Sequence, residues 1–464
     1  MFPALRWNDA TGFEHEAQTI RDALAFGAGG FILFGGTPSG VTELTTRLQD
    51  ESDHPLLIAA DLERGVGQQI TGFVDLPPPL ALASLREGVV VRSAGYLTGC
   101  QARSLGINWV LAPVADLDVE PANPIVQTRS FGADPATVAD CVAEWVMGCE
   151  AAGAVSCVKH YPGHGRALGD SHDAAPVVPV SAELLRATDL VPFRAAIDAG
   201  TRSVMTAHVA FPSLDPSGAP ATFSRPILDY LRNNLAFEGL IVSDALIMGG
   251  ALSSGVSPAI DAIRAGVDLL LYPAAPAAVA EMLLEECSRD PTFQGRVESS
   301  LTRVDAIARS FGDDIPSVEA FPGSALALGD WLLADAPSRG RRPVLHAPIQ
   351  LVAIDDDLGG AHPPSTSTAA VEEELHRLGI DQGVGGSMVV LVFSEPRASK
   401  GRADLGPESR ARLAETASGA DLVVVFGHPR LADQVPGEVP VVVAWHRQRG
   451  LQQAVARWIA GRLT

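Results

Sequence analysis

The chain has 464 residues, 47% of them hydrophobic and 19% charged, with a formal net charge of -21. Its length exceeds one typical domain, and its composition is that of a folded globular protein rather than a disordered chain. The negative charge argues against nucleic acid or an anionic membrane surface as the main partner.

In chain order, the N-terminus MFPALRWNDATG has neither a basic region nor an apolar core, so no signal peptide is expected. No run approaches the ~18 apolar residues of a membrane span, so no membrane contact is expected. Five cysteines (Cys100, Cys141, Cys149, Cys157 and Cys287) occur without a CxxC pair. That pattern points to reduced thiols rather than a disulfide frame or a zinc site, and so to a cytoplasmic protein. Only two lysines occur, Lys159 and Lys400, against abundant arginine. A compositional bias explains the imbalance, yet each remaining lysine becomes a candidate for a role that arginine does not fill.

Eight short apolar runs punctuate the first two-thirds of the chain: 3–7, 30–34, 56–60, 107–112, 155–158, 203–207, 240–243 and 267–271. Helical patterns such as 14–26 and 183–199 lie between them. The alternation predicts parallel strands closed into an α/β fold of the (β/α)8 TIM-barrel type over 1–315. Asp61, Asp116, Lys159, His160, His208, Asp244 and Tyr272 fall at or just past the C-terminal ends of these runs, where barrel enzymes build their sites. Residues 316–343, rich in Pro, Gly, Ala and Ser, are expected to form a linker. Alternation resumes on a smaller scale over 344–464. Apolar runs at 349–354, 388–393, 422–426 and 439–444 and helical patterns at 368–378, 407–417 and 450–463 predict a smaller α/β sandwich domain. No Gly-rich phosphate loop appears, and no cofactor is expected.

Two stretches carry chemistry. In CVKHYPGHGRALGDSH (157–172) a strand ends in Lys159-His160, a Pro/Gly loop turns, and the stretch closes on Asp170-Ser171-His172. Residues at i and i+2 of an extended segment point the same way, so Asp170 can orient the His172 ring and favour its charged form. A surface loop with incidental histidines is the alternative. In FEGLIVSDALIM (237–248) Asp244 directly follows an apolar strand, where a carboxylate is either a nucleophile or a helix cap.

KHYPGHG…DSH, NPIVQTRSFG, PATFSRPILDYLRNNLAFEGLIVSDALIM and DLERG together resemble glycoside hydrolase family 3, most closely its bacterial β-N-acetylglucosaminidase branch. The resemblance runs through the whole barrel in order; over the C-terminal domain it is loose. It implies Asp244 as nucleophile and His172, with Asp170, as acid/base. It further implies that Lys159, His160, Arg129 and Asp61 are sugar contacts, with His208 a second-tier candidate. The expected activity is that of a retaining exo-β-N-acetylhexosaminidase. It would release N-acetylglucosamine from cell-wall muropeptides, as in peptidoglycan recycling, or from chitin-derived glycosides, through a glycosyl-enzyme and with no metal. One departure stands out: the family reads close to DQEGGRVQR where this chain reads DLERGVGQQ. Asp61 is kept, but Arg64 replaces a glycine, Val66 an arginine, and Gln69 stands where a sugar-contacting arginine is common.

Four alternatives stay open. A histidine acid/base repels an anion less than a glutamate does, so phosphate could replace water and make the enzyme a phosphorylase. The specificity could be β-glucosidase-like. The barrel could bind sugar without turnover. A metal-dependent hydrolase would use His160, His164, Asp170 and His172 as ligands.

Overall fold

The computed structural model describes residues 1–464 except 172, 253–256, 313–324, 335, 337, 358–367 and 397–399. Two compact units are formed.

The first unit comprises Met1–Leu76, Glu87–Glu120 and Ser130–Glu319. Seven strands pair in parallel in chain order: β1 (Ala4–Arg6), β2 (Gly30–Phe34), β3 (Leu57–Ala60), β4 (Trp109–Val110), β5 (Val155–Tyr161), β6 (Ser203–Thr206) and β7 (Leu240–Val242). The eighth expected run forms no ladder. Instead Leu269 bridges Val242 and Leu271 bridges Phe2, both in parallel. The Ser243 amide donates to the Leu269 carbonyl at 3.0 Å and the Tyr272 amide to the Phe2 carbonyl at 2.9 Å. Tyr272 itself turns out of the extended region at φ 47°, which ends the run. These bridges join β7 to β1 and close the ring.

Side chains on each strand alternate inward and outward. The inward set forms one apolar cluster of Phe2, Ile32, Leu57, Ala59, Trp109, Leu111, Val155, Cys157, Met205, Leu240, Val242, Leu269 and Leu271. Phe2 meets Trp109 edge-on at 5.3 Å, and the buried Trp109 indole donates to Ser203 Oγ at 2.8 Å. The helix Pro291–Ala308 seals the end where the strands begin, packing Val304, Ile307 and Ala308 on this cluster. Two residues further along each row, the same alternation turns Arg6, Phe34, Asp61, Lys159 and Asp244 toward the axis at the opposite end. Apolar layers below and charged groups above are thus one consequence of period two.

The second unit comprises Pro77–Arg86, Pro121–Arg129 and Ala320–Thr464. Its sheet has the order β8 (Ser338–Arg339), β12 (Val441–Val443), β11 (Leu422–Gly427), β10 (Met388–Ser394) and β9 (Gln350–Asp355), with only the β8 pair antiparallel. The strands are near-continuous apolar runs because both faces are covered. Val389, Leu391 and Phe393 pack under helices Ala369–Arg377 and Arg449–Ala460, while Val390 and Val392 pack under Pro407–Ala417. Within the stretch expected to be a linker, 316–324, 335 and 337 lie outside the described residues. Ala325–Ala334 is a helix whose Leu333 joins the first of these cores. At the C-terminal ends of β9 and β10, Lys400, the second rare lysine, lies 2.9 Å from Asp356 and 3.1 Å from Asp357. Arg447 bonds both oxygens of Asp355 at 3.0 Å.

Candidate active site

The charged layer at the barrel mouth starts from Lys159. Its Nζ lies 2.8 Å from Asp61 Oδ1 and 2.8 Å from Glu63 Oε1, and its side chain is only 3% exposed. Two carboxylates from the turn after β3 therefore hold one ammonium arriving on β5. A buried ammonium needs such partners, because an unpaired one costs several kcal/mol of lost hydration.

The turn that supplies Asp61 and Glu63 folds back on itself. Gly67 donates to the Val74 carbonyl at 2.9 Å and Leu76 to the Arg64 carbonyl at 2.7 Å. Gly65 sits at φ 78°, and a Cβ on Gly67 would lie 2.4 Å from the Asp75 nitrogen. Two of the three departures in DLERGVGQQ help hold this turn in place. Arg64 pairs with Asp75 at 2.6 Å, and the Gln69 side-chain Oε1 accepts from the Gly35 amide at 3.1 Å.

His160, the neighbour of Lys159, is directed elsewhere. Its Nδ1 lies 2.7 Å from Asp116 Oδ2, and a carboxylate only accepts, so Nδ1 carries the proton. Asp116 is fully buried and also takes the amides of His160 (3.2 Å) and His164 (2.6 Å) on Oδ1. Burial opposes its ionisation, but the histidine pairing and the amide bonds outweigh this and hold its carboxyl below the ordinary range. The peptide between Lys159 and His160 is cis, and the β5–β6 register shifts between Val158 and Tyr161.

The loop that follows is pinned at its base. Arg166 Nε bonds Asp189 Oδ2 at 2.8 Å, and Gly165 packs so close to the Leu117 carbonyl that a Cβ would lie 1.7 Å from it. His164 Nε2 lies 3.0 Å from Ser171 Oγ; burial pushes this histidine down to about 4, so it is neutral. Asp170 is buried on this loop, and its carbonyl accepts the Asp173 amide at 3.1 Å. His172, and with it the expected Asp170–His172 contact, lies outside the described residues.

Asp244 follows β7 and its Oδ1 accepts from the Ala245 amide at 2.7 Å. His208 supports this turn. Its Nε2 lies 3.2 Å from the Ala245 carbonyl and its Nδ1 2.8 Å from Thr222 Oγ1, while its ring stacks on Phe223 at 5.8 Å. Burial lowers the His208 pKa against the opposing pull of Asp244, and the ring stays neutral. The Gly250 amide donates to the Ser171 carbonyl at 3.0 Å. That bond ties the segment after Asp244 to the loop carrying Asp170. A Cβ at Gly250 would lie 2.9 Å from that carbonyl and 3.0 Å from His208 Cβ.

The structure thus brings Asp61 and Lys159 into contact, seats His208 against the Asp244 turn, and links that turn to the Asp170 loop. Arg129 belongs to the second unit, where its guanidinium donates to the Ile125 carbonyl at 3.1 Å. Glu63 and Asp116 join the site as partners not singled out above as sugar contacts or catalytic groups. The i, i+2 spacing from Asp61 was the available signal for Glu63, and a strand-end position was the signal for Asp116. Among the described residues, no three His, Cys, Asp or Glu side chains gather as metal ligands would.

A parallel ring of strands with paired carboxylates and a buried lysine at its C-terminal mouth defines a TIM-type barrel enzyme. The family model described as the glycosyl hydrolase family 3 N-terminal domain matches residues 14–307, and the chain belongs to this family. It is similar to a β-N-acetylglucosaminidase/β-glucosidase of Cellulomonas fimi, with 38% identity over 258 residues. That match covers 53% of this chain and 45% of the relative, so it spans less than half of that protein's length. A β-hexosaminidase of Chromobacterium violaceum is 36% identical over 312 residues, covering 64% of this chain and 85% of the relative. Among solved structures, a family 3 β-N-acetylglucosaminidase from Paenibacillus sp. superposes with a TM-score of 0.83 at 26% identity, covering 100% of this chain and 95% of the other.

Proposed function

We propose that this glycoside hydrolase is a retaining exo-β-N-acetylhexosaminidase. The observation that carries the reading is the charged layer at the barrel mouth, where Lys159, clamped by Asp61 and Glu63, shares the inward row pattern with Asp244. Clamped donors and acceptors of this kind suit the vicinal hydroxyls of a terminal sugar through charge-assisted hydrogen bonds. Asp244, its carboxylate oriented by the Ala245 amide, attacks the anomeric carbon as the leaving oxygen takes a proton. Asp170 and His172 form the acid/base pair, which protonates the leaving group and then deprotonates water. Lys159, His160, Asp61 and Arg129 hold the sugar, and His208 positions the nucleophile turn. The names of the relatives favour N-acetylglucosamine as the sugar and water as the acceptor. Cell-wall fragments and chitin oligosaccharides are the substrate classes. All five cysteines are free thiols, which fits a reducing compartment.

The test is a mechanism-based fluorinated glycoside followed by peptide mapping, with proton NMR of the first product anomer. Label on Asp244 and a β product are expected. Label on another residue, or an α product, sinks the assignment.

A further inference from the structure

Asp268 stands at the end of the barrel where the strands begin, opposite the charged mouth. Its side chain is fully buried and takes five donors. Oδ2 accepts from Arg232 and from the Ile241 amide at 2.9 Å. Oδ1 accepts from Arg296 Nη2 at 2.8 Å, Ser300 Oγ at 3.2 Å and Arg303 Nη1 at 3.3 Å. A carboxylate oxygen offers about two lone-pair directions, so Oδ1 is oversubscribed and Arg303, the most distant donor, is held least. Three guanidiniums thus share one carboxylate, in a chain whose formal charge is -21. Their crowding shows on Arg232. Burial pulls its pKa down to about 10; Asp268 opposes the fall, and Arg303 and Arg296 add to it.

Two of the three guanidiniums are spent on the backbone as well. Arg232 donates to the Phe237 carbonyl at 2.8 Å and the Gly239 carbonyl at 2.6 Å. Arg296 donates to the Gly266 carbonyl at 2.6 Å, the Val267 carbonyl at 3.0 Å and Ser300 Oγ at 2.7 Å. Arg303 differs. Besides Asp268 it reaches only the Ser299 carbonyl, again from Nη1 and at 3.3 Å. Among the described residues its Nε and Nη2 make no hydrogen bond.

Arg303 lines a cavity of about 390 Å³ between the helix Leu190–Asp198, the start of β6, residues 236–239 and the helix Pro291–Ala308. That volume lies within the range of small-molecule sites, about 300–1,000 Å³. Arg202 lines it too. Its Nε bonds Glu150 at 2.6 Å and its Nη1 bonds Ser310 Oγ at 3.0 Å, which leaves Nη2. Ile197, Phe237 and Ile307 supply apolar wall, and Glu238, an exposed residue, adds a carboxylate. The wall is stiff, since Arg232 holds two of its carbonyls and a Cβ on Gly239 would lie 2.3 Å from the Arg202 carbonyl.

We propose that this cavity is a binding site for a small oxyanion, a phosphate or a carboxylate, taken by Arg303 and Arg202. An anion there supplies the counter-charge that Asp268 cannot share among three guanidiniums. The planar fork of donors on each arginine suits its oxygens. The site is separate from the sugar pocket. Arg202 and Gly239 immediately precede β6 and β7, whereas Lys159 and Asp244 lie toward the C-terminal ends of β5 and β7.

The experiment follows the melting temperature of the full chain as inorganic phosphate or acetate replaces chloride at constant ionic strength. A saturable rise gives an apparent Kd, because a ligand that binds only the folded state stabilises it. Wild type should show such a rise, and comparing the two anions tells phosphate from carboxylate. Arg303→Gln should weaken binding about 10- to 100-fold, the scale of a lost charged hydrogen bond. Glu238→Gln removes a competing negative charge and should tighten binding about 2- to 5-fold, the scale of an exposed charge pair. No saturable rise with either anion in wild type overturns the proposal. Equal binding in Arg303→Gln, with the anion competing against an aryl N-acetyl-β-glucosaminide, places it in the sugar pocket and overturns the proposal too. Should Arg303→Gln fail to fold, Glu238→Gln decides alone, and binding no tighter than wild type there has the same consequence.

Discussion

Lys159 shows how one rare residue organises a site. Its side chain is buried between two carboxylates from the turn after β3, with N–O distances of 2.8 Å to each. Removing the ammonium leaves Asp61 and Glu63 facing each other without a counter-charge, and breaking a buried pair costs about 3–5 kcal/mol. Lys159→Ala should therefore lower the unfolding free energy measured in urea by an amount on that scale and also weaken sugar binding. Lys159→Met, which fills the same volume without charge, should behave the same way. A Lys159→Met protein with wild-type stability and wild-type KM would mean that the triple carries neither load. Asp116 has the opposite logic. It is an anion surrounded by donors, and it fixes His160 in one tautomer through a 2.7 Å bond. The sequence offered Lys159 by its scarcity. It did not offer the pairings, because Asp61 and Asp116 lie 98 and 44 positions from the residues they hold.

At the scale of elements, strands were readable wherever an apolar run had clear ends. The run at 30–34 is β2 without change, and those at 56–60, 203–207 and 240–243 each trim by one residue to β3, β6 and β7. The eighth run was readable as apolar but not as two isolated bridges, since its pairing depends on how closely β7 and β1 approach. The helix Ala325–Ala334 was hidden in a Pro/Gly/Ala-rich neighbourhood, where composition outweighed the apolar run ALALGDWLLA. Loop shape was hidden too. PGHGR signals a turn, but only the fold shows that Gly165 lies against the Leu117 backbone. A methyl there would sit 1.7 Å from the Leu117 carbonyl, so Gly165→Ala must displace the loop carrying Asp170. Misplacing a catalytic element by about 1 Å can cost about 100-fold in rate. Gly165→Ala should therefore lose kcat/KM on that scale on an aryl glycoside while the barrel keeps its far-ultraviolet circular dichroism. Kinetics equal to wild type would show that this loop does not set the reaction geometry.

Across the whole molecule, both sheets end in charge at the C-terminal edges of their strands, but the charges differ in kind. In the second unit, Arg447 and Lys400 pair with Asp355, Asp356, Asp357 and Glu395, and Arg402 and His446 join the same network. In the barrel, the buried groups include histidines that stay neutral, and these couple folding to pH. Burial pushes His164 down to about 4 from an ordinary 6.5, and His208 is lowered in the same direction. Between those values the unfolded chain binds protons that the folded barrel refuses, so stability rises with pH across the window and falls as pH drops from about 6.5 toward 4. For His164 alone the loss at the acid end is on the order of 3 kcal/mol, each pKa unit being worth about 1.4. Asp116 acts in a lower window. Its depressed pKa contributes stability above the ordinary carboxylate value of 3.8, and that contribution is lost only as pH falls further. The two effects have the same sign and separate along the pH axis. Urea midpoints measured from pH 7.5 to 4.5 should decline in wild type. His164→Gln keeps a polar group near Ser171 but does not titrate, so its decline should be shallower above pH 4.5, with the His208 contribution remaining. Identical slopes for the two proteins would mean that His164 takes up its proton without unfolding the barrel.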